Sequence, residues 1–516
     1  MQVPRKRLPI SIETFSEIIS GGYYYVDKTR FAHLLTEQGK CFFLSRPRRF
    51  GKSLFLDTLK ELFEGNQPLF AGLAIHDKWD WSRKYPVVSI SFADGALDSR
   101  AALDEKIREL LLDNQERLGV VCSHQSISGQ FAQLIRLARK KHGERVVVLI
   151  DEYDKPMLDN VSDSRVALAV REGLKNLYSV IKKADADIHF AFLAGVSKFS
   201  KVSLFSGLNS LRDISLSPEF SALCGYTDQE LDTVFGDELV GLDRDEVRHW
   251  YNGYNWLGES VYNPYDVLLL LQERKFRPWW FESATPTFLI QLLTARQAWL
   301  PALGKMEADA NLLAAFEVDK VSTVALMFQS GYLTIEREER LGGKYYYQLR
   351  FPNEEVRQSL YGCLLANWTA DSGAEVHNTK ALYQLMANNE VNRMRELFQA
   401  FFASIPHYWF TKNTIADFEG YYASVFYAYF VAAGLDVRAE DVTSFGRIDM
   451  AVRLPGHIYL FEFKVVEAAP GGAALQQIKD KKYADKYRAD GLPIHLIGVE
   501  FSRDSRNVVG FEAELA

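Results

Sequence analysis

Short apolar runs separated by amphipathic stretches fill the first part of the chain. The runs at 41–45, 87–92, 146–150, 188–194 and 214–216 have strand length and are almost wholly apolar. Between them lie helical patterns such as 52–63 and 101–118. Strands alternating with helices predict a mostly parallel sheet covered on both faces. From 218 to about 351 the pattern is mostly helical, with aromatic residues crowded at Trp250, Tyr251, Tyr254 and Trp256. Helical patterns return at 353–365 and 381–402. After 415 the order is helix (415–432), three strands (437–443, 447–453, 458–464), helix (473–488) and strand (494–501). The expectation is an α/β multidomain chain divided as 1–217, 218–365, a helical linker at 366–414, and 415–516.

Within the middle part, a helix at 324–330 is followed by strands at 332–336 and 345–351 around a Gly342-Gly343 turn. A helix followed by a hairpin is compatible with a winged-helix module, which either touches DNA or couples domains. The aromatic run 250–256 suits base stacking, but packing between helices is the preferred reading.

Bulk properties narrow the class. A length of 516 residues exceeds one ordinary domain. A net charge of -7 does not suit a general nucleic-acid binder, so any such contact must rest on local basic clusters. Two exist: Arg46, Arg48, Arg49 and Lys52, and Lys479, Lys481, Lys482, Lys486 and Arg488. The second reads equally well as a solvated helix face. The four cysteines are scattered without a CxxC pair, so neither a zinc site nor a disulfide framework is expected, in keeping with a reducing cytosol. The N-terminus lacks the apolar run of a secretory signal, and no stretch approaches the ~20 apolar residues of a membrane span. A cytoplasmic protein without membrane contact is expected.

Candidate chemistry lies toward both ends. Phe43 to Ser53, reading FLSRPRRFGKS, follows the first strand and opens a helix, as a nucleotide phosphate loop does. Backbone N–H groups of Arg49, Phe50 and Gly51 would cradle phosphates at the helix N-terminus. Lys52 would reach the β- and γ-phosphates and Ser53 would hold Mg²⁺. Arg46 stands where the first glycine of GxxxxGK[ST] belongs, and with Arg48 and Arg49 it would add positive charge near the phosphates. The run 146–150 ends in Asp151-Glu152, at the strand edge where ligands bind in such sheets. Asp151 would serve the magnesium shell and Glu152 would polarise the attacking water. The strand at 188–194 leads to Ser197 and Lys198, where a γ-phosphate sensor would lie; a helix N-cap explains Ser197 equally well.

Near the C-terminus, Glu462 and Lys464 are two apart on a strand and so share a face. Asp449 lies on the preceding strand. Two carboxylates offer hard oxygen ligands for Mg²⁺, and a lysine orients water and offsets charge. Glu419 on the preceding helix would complete the metal shell. Gln477 and Lys481, one helical turn apart, would face nucleic-acid phosphates. Tyr483 and Tyr487 are assigned to core packing. The element order and these residues match the core of PD-(D/E)XK nucleases.

Taken together, YVDKT at 25–29, FLSRPRRFGKS at 43–53, IDEYD at 150–154, WYNGY at 250–254, SGYLT at 330–334, PNEEV at 352–356, GRID at 446–449 and EFKV at 462–465 carry a wider resemblance. The chain resembles bacterial and archaeal proteins in which an AAA-ATPase-like domain is fused to a PD-(D/E)XK nuclease-superfamily domain. In that family the phosphate loop also carries the arginine at position 46. The resemblance covers nearly the whole length. It implies ATP binding and a nuclease fold more firmly than any biological role. The leading reading is an ATP-gated nuclease with ATP and Mg²⁺ as cofactors, nucleic acid as partner with DNA favoured, and a setting in defence against mobile elements. Two other readings are a nucleotide-controlled switch whose nuclease-like domain binds DNA without cutting, and a repair or recombination ATPase. Oligomeric state is left open.

Overall fold

A computed structural model describes residues 5–516 except 162, 199–203, 206–209, 283–286, 297, 315–321, 369–371, 405–418, 444–445 and 468–469. Its contacts divide the chain into two units, Met1–Thr285 with Met306–Asn353, and Pro286–Lys305 with Glu354–Ala516.

In the first unit the apolar runs become β1 (Cys41–Ser45), β2 (Val87–Ser91), β3 (Val146–Asp151), β4 (Ile188–Gly195) and β5 (Arg212–Asp213). They form one all-parallel sheet in the order β2-β3-β4-β1-β5. Every residue of β1 and β3 is buried, as a sheet covered on both faces requires. Helices Arg100–Leu118, Ile127–His142 and Ser164–Lys183 belong to this layer. They are N-capped by the side chains of Ser99, Ser126 and Asp163. The fifth strand ends earlier than expected. Asp213 Oδ1 accepts the Ser215 N–H at 2.9 Å and turns the chain, so the expected strand at 214–216 becomes a turn.

Beyond the sheet, helices Asp228–Leu239, Arg244–Tyr251 and Pro264–Glu273 share a core that includes Val26, Leu231, Val247, Tyr251 and Leu270. Helix Thr323–Gln329 is followed by the hairpin of β7 (Thr334–Leu341) and β8 (Lys344–Arg350). A strand not foreseen, β6 (Met306–Asp309), pairs with β8, giving the order β6-β8-β7.

The second unit is built on a five-stranded sheet ordered β13-β12-β11-β10-β9. Its strands are β9 (Asp436–Thr443), β10 (Gly446–Leu454), β11 (His457–Val466), β12 (Ile494–Ser502) and β13 (Asn507–Leu515). Only the β11–β12 pair is parallel. Helix Glu419–Ala432 packs Phe426 and Phe430 on Phe463 and Phe461. Alternation along the strand sends Leu460 to the other face, where it joins Leu475, Ile478, Tyr483 and Tyr487. Segment 366–414 contributes helices Ser372–Ala387 and Met394–Ser404 to this unit, with Phe398 stacked on Phe426 at 3.7 Å.

Two expectations for this sheet are corrected. The helix expected at 473–488 stops at Asp480, and a 3₁₀ segment follows at Tyr483–Asp490. Lys482 between them is left-handed (φ 48°), which breaks the α-helical ladder. The strand β13 was not expected; it pairs antiparallel with β12 and carries Gly510 in its middle. Among the described residues no helix is long and apolar enough to cross a membrane.

Candidate nucleotide site and candidate cutting centre

The phosphate loop is closed on its own lysine. Lys52 Nζ donates to the carbonyls of Arg46 (3.1 Å) and Pro47 (2.9 Å). Gly51 precedes helix Lys52–Phe63 with φ 86°, a conformation that favours glycine. Arg49 is also left-handed, with φ 68°, and its guanidinium lies over the Tyr265 ring at 4.8 Å. Ser53 follows Lys52 in the first helical turn and is half-buried.

Arg46 does not add charge toward the phosphates, as its sequence neighbours suggested. Its side chain is fully buried. Nη1 donates to the carbonyls of Ser45 and Ser215, both at 2.8 Å, and Nη2 to that of Phe220 at 3.2 Å. The guanidinium stacks on Trp256 at 4.0 Å, and burial pulls its pKa down to about 10. Phe50, also buried, meets Tyr254 and Trp256 edge-on. The aromatic run therefore packs, Tyr254 and Trp256 against the phosphate loop and Trp250 and Tyr251 against the helical core. Two further bonds complete the brace, Gly225 N–H to the Phe50 carbonyl at 3.1 Å and Trp280 Nε1–H to the Arg48 carbonyl at 3.2 Å.

The acidic pair ends β3, separated from β1 by β4. Asp151 Oδ1 accepts the Glu152 N–H at 2.9 Å, and Glu152 is left-handed (φ 49°). Burial raises the Glu152 carboxyl pKa, and Lys52, then Arg48, oppose that rise against Asp151. The loop lysine and the second acid are thus within electrostatic reach.

The end of β4 is occupied by a buried network. Asp154 accepts the Ser197 hydroxyl and N–H, both at 2.6 Å, and the Val196 N–H at 3.1 Å. Burial pushes the Asp154 carboxyl up and the Ser197 bonds pull it back. Ser197 is thereby committed to Asp154. Lys198 is buried and pairs with Asp213 at 3.0 Å. Asp154 carried no role in the sequence reading, although it lies in the quoted IDEYD segment.

In the second unit Asp449 on β10 and Glu462 on β11 stand one step past the Met450–Phe461 register pair. Asp449 Oδ2 accepts the Phe463 N–H at 2.8 Å, which ties the two strands at this point. Glu462 is only 1% exposed, and Gln477 Nε2 donates to its Oε1. Tyr483, whose hydroxyl donates to the Arg447 carbonyl at 3.0 Å, has a pKa raised by burial and then by Glu462 and Asp449, with Gln477 and Lys464 lowering it. These five side chains form one cluster. Gln477 thus meets a carboxylate. Lys481 is exposed just after the same helix. Of the second basic cluster, Lys479 pairs with Glu514, Lys486 with Asp441 and Arg488 with Asp485. Glu419 opens its helix, but its side chain lies outside the described residues.

Glu500 was missed. It is buried, and its carboxylate accepts the N–H groups of Gly471 (2.6 Å), Ala473 (2.7 Å) and Ala474 (3.4 Å). It therefore anchors the N-terminus of the helix that carries Gln477. The available signal was an acid inside an otherwise apolar strand. The two carboxylates offer hard oxygen ligands of the kind a divalent cation takes; among the described residues no group of three or more His, Cys, Asp or Glu could hold a metal ion.

Comparisons with known proteins agree with both halves. A family model described as "Predicted AAA-ATPase" matches residues 9–205, and one described as "PD-(D/E)XK nuclease superfamily" matches 417–511. The chain is 60% identical over 511 residues, 99% of either chain, to an Azotobacter chroococcum mcd 1 protein described as "Uncharacterized protein in vnfD 5'region". A solved chain from "Structure of Drosophila ORC bound to AT-rich DNA and Cdc6" is 13% identical, covering 67% of this chain and 90% of that one. Its TM-score of 0.20 is too slight to bear on the fold. With both domain models matched in order and a relative similar from end to end, the chain belongs to the family that joins a predicted AAA-ATPase domain to a PD-(D/E)XK nuclease superfamily domain.

Proposed function

We propose that this chain binds and hydrolyses ATP and cuts phosphodiester bonds of nucleic acid, DNA above all, with Mg²⁺, and that nucleotide state controls the cutting. The observation that carries the reading is the carboxylate pair Asp449 and Glu462 on adjacent strands, one tied to the Phe463 N–H and the other to Gln477. A Mg²⁺ ion held by Asp449 and Glu462, with Glu419 assisting, would supply Lewis acidity and a more acidic water. Lys464 orients that water and offsets charge on the phosphate. Gln477 holds Glu462 in place, and Lys481 is left to meet nucleic-acid phosphates.

In the nucleotide site Lys52 would exchange its two loop carbonyls for phosphate oxygens, beside the N–H groups of Arg49, Phe50 and Gly51. Ser53 and Asp151 suit the Mg²⁺ that accompanies ATP, and Glu152 orients the attacking water. Ser197 would sense the γ-phosphate only by giving up its hydrogen bond to Asp154. The segment 218–365 would carry the nucleotide state onward. A cytoplasmic setting and defence against mobile elements complete the proposal.

The test is cleavage of single- and double-stranded DNA and RNA by purified protein with Mg²⁺ or Mn²⁺, with and without ATP. Asp449→Ala and Glu462→Ala should be nearly inactive, and Lys464→Ala should lose at least about 10²-fold. No cutting by the wild type, or cutting that persists in Asp449→Ala, would refute the nuclease reading. Equal cutting by wild type and Lys52→Ala at every ATP level would separate the two activities.

A further inference from the structure

The β7–β8 hairpin has an end that the fold itself does not use. Glu336 to Leu341 on β7 and Lys344 to Tyr346 on β8 are all exposed, while the base of the hairpin is buried. Six residues at ~3.3 Å each make a ribbon of about 20 Å with solvent on both faces. The ladder nevertheless continues to the tip, through Arg340–Tyr345 and Leu341–Lys344. Gly342 (φ 55°) and Gly343 (φ 83°) close it with two left-handed residues, the turn that matches strand twist.

Its side chains are unusual for a solvated end. Leu341 is 54% exposed, Tyr345 42% and Tyr346 36%. Arg340 lies over the Tyr345 ring at 5.6 Å. From Arg340 to Tyr346 the only charged residues are Arg340 and Lys344. The carboxylates Glu336, Glu338 and Glu339 lie further back on β7, and Glu338 is turned to the Tyr347 hydroxyl. The tip around Arg340, Leu341, Lys344 and Tyr345 is therefore cationic, apolar and aromatic, whereas the stem, with three glutamates against Arg337, is net acidic, its Glu339 standing opposite Tyr346.

We propose that this tip enters a groove of duplex DNA, with Leu341 as an apolar wedge between phosphate-facing Arg340 and Lys344. Apolar wedges flanked by arginine or lysine are how groove-entering proteins hold and unstack a duplex. The stem carboxylates confine the contact to the tip, because they repel phosphates along the ribbon. The proposal rests on DNA being the substrate and adds a contact in the first unit, apart from the residues that cut.

The experiment uses the full chain with chelator present, so that nothing is cut. Affinity for a labelled duplex of about 30 base pairs is followed by fluorescence anisotropy as salt rises. Each neutralised phosphate contributes about 0.9 to the slope of log K against log salt, so Arg340→Ala with Lys344→Ala should flatten it by about 2. Affinity at the lowest salt should fall at least tenfold. Leu341→Ser should weaken binding without altering the slope. The tip is exposed, so melting temperatures should stay at the wild-type value. Wild-type affinity and slope in the double variant overturn the proposal and leave the nuclease reading standing if cutting persists. Loss of self-association with unchanged DNA affinity would also overturn it, assigning the tip to protein contact. A wild type that cuts nothing is the separate failure of the nuclease reading.

Discussion

Gly498→Ala tests how closely the helix at Ala473–Asp480 must approach the sheet. Gly498 is the register partner of Glu462 across β11–β12. A β-carbon placed there would lie 2.3 Å from the Leu475 nitrogen and 2.8 Å from its Cα. These are backbone atoms, so no side-chain rotation relieves the clash, and the helix must retreat by about 1 Å to reach ordinary contact. Overpacking of this kind costs about 1–3 kcal/mol. At about 2 kcal/mol the melting temperature of a unit this size should fall by about 4–8 °C. The same retreat draws Gln477 from Glu462. With Glu462 in its proposed role as a metal ligand, loss of such support should cost about 10–100-fold in metal affinity or activity. Thermal unfolding and cleavage against Mg²⁺ concentration read the two effects separately. Gly471→Ala is the control, since its β-carbon meets nothing within 4 Å, and it should stay within about 0.5 kcal/mol of wild type. Wild-type melting and metal dependence in Gly498→Ala, or equal damage in Gly471→Ala, would refute the reasoning.

Arg46→Gly restores the usual first glycine of the loop motif, yet it should destabilise the first unit by at least about 2 kcal/mol and weaken ATP binding, because three carbonyls lose their donor. Urea unfolding and calorimetry check both parts; tighter ATP binding would contradict the brace. Lys52→Ala should abolish ATP binding in calorimetry while the circular dichroism spectrum is kept. The proposed role of Glu152, to orient water, needs it ionised, and its pKa is raised, so ATPase activity should fall on acidification at a higher pH than an exposed glutamate would dictate. Arg48 lowers that pKa, so Arg48→Ala should move the acid limb of kcat/KM further up in pH, and an unmoved limb would sink the assignment.

Legibility in the sequence followed how local each signal was. The parallel sheet was readable because β1, β3 and β4 are almost wholly buried and so almost wholly apolar. That Glu462 and Lys464 share a face was readable because strand alternation fixes the face a residue takes, and the β10–β11 register brings Asp449 beside Glu462. What escaped depended on distant partners. Nothing near Arg46 in the chain announces Trp256, so the arginine read as added positive charge near the phosphates. Gln477 looked like a phosphate contact because Glu462, its acceptor, is on another element. Glu500 was invisible as an anchor because its three N–H donors precede it by more than twenty residues. The β6 strand was short, and its partner β8 lies some forty residues on.

The brace under the phosphate loop also sets an order of events during synthesis. A ribosome that has released residues up to 205 has delivered the whole segment matching the AAA-ATPase family model. It has not yet delivered Gly225, Trp256 or Trp280, which hold the carbonyls of Phe50 and Arg48 and the guanidinium of Arg46. Until the tunnel clears Trp280, the nascent nucleotide loop lacks its floor, with a cationic side chain in search of its aromatic partner. A fragment cut at the apparent end of the ATPase domain would preserve the motif and lose the scaffold that shapes it. Expression of a minimal nucleotide-binding piece should therefore be planned from the aromatic residues backward, not from the domain match forward.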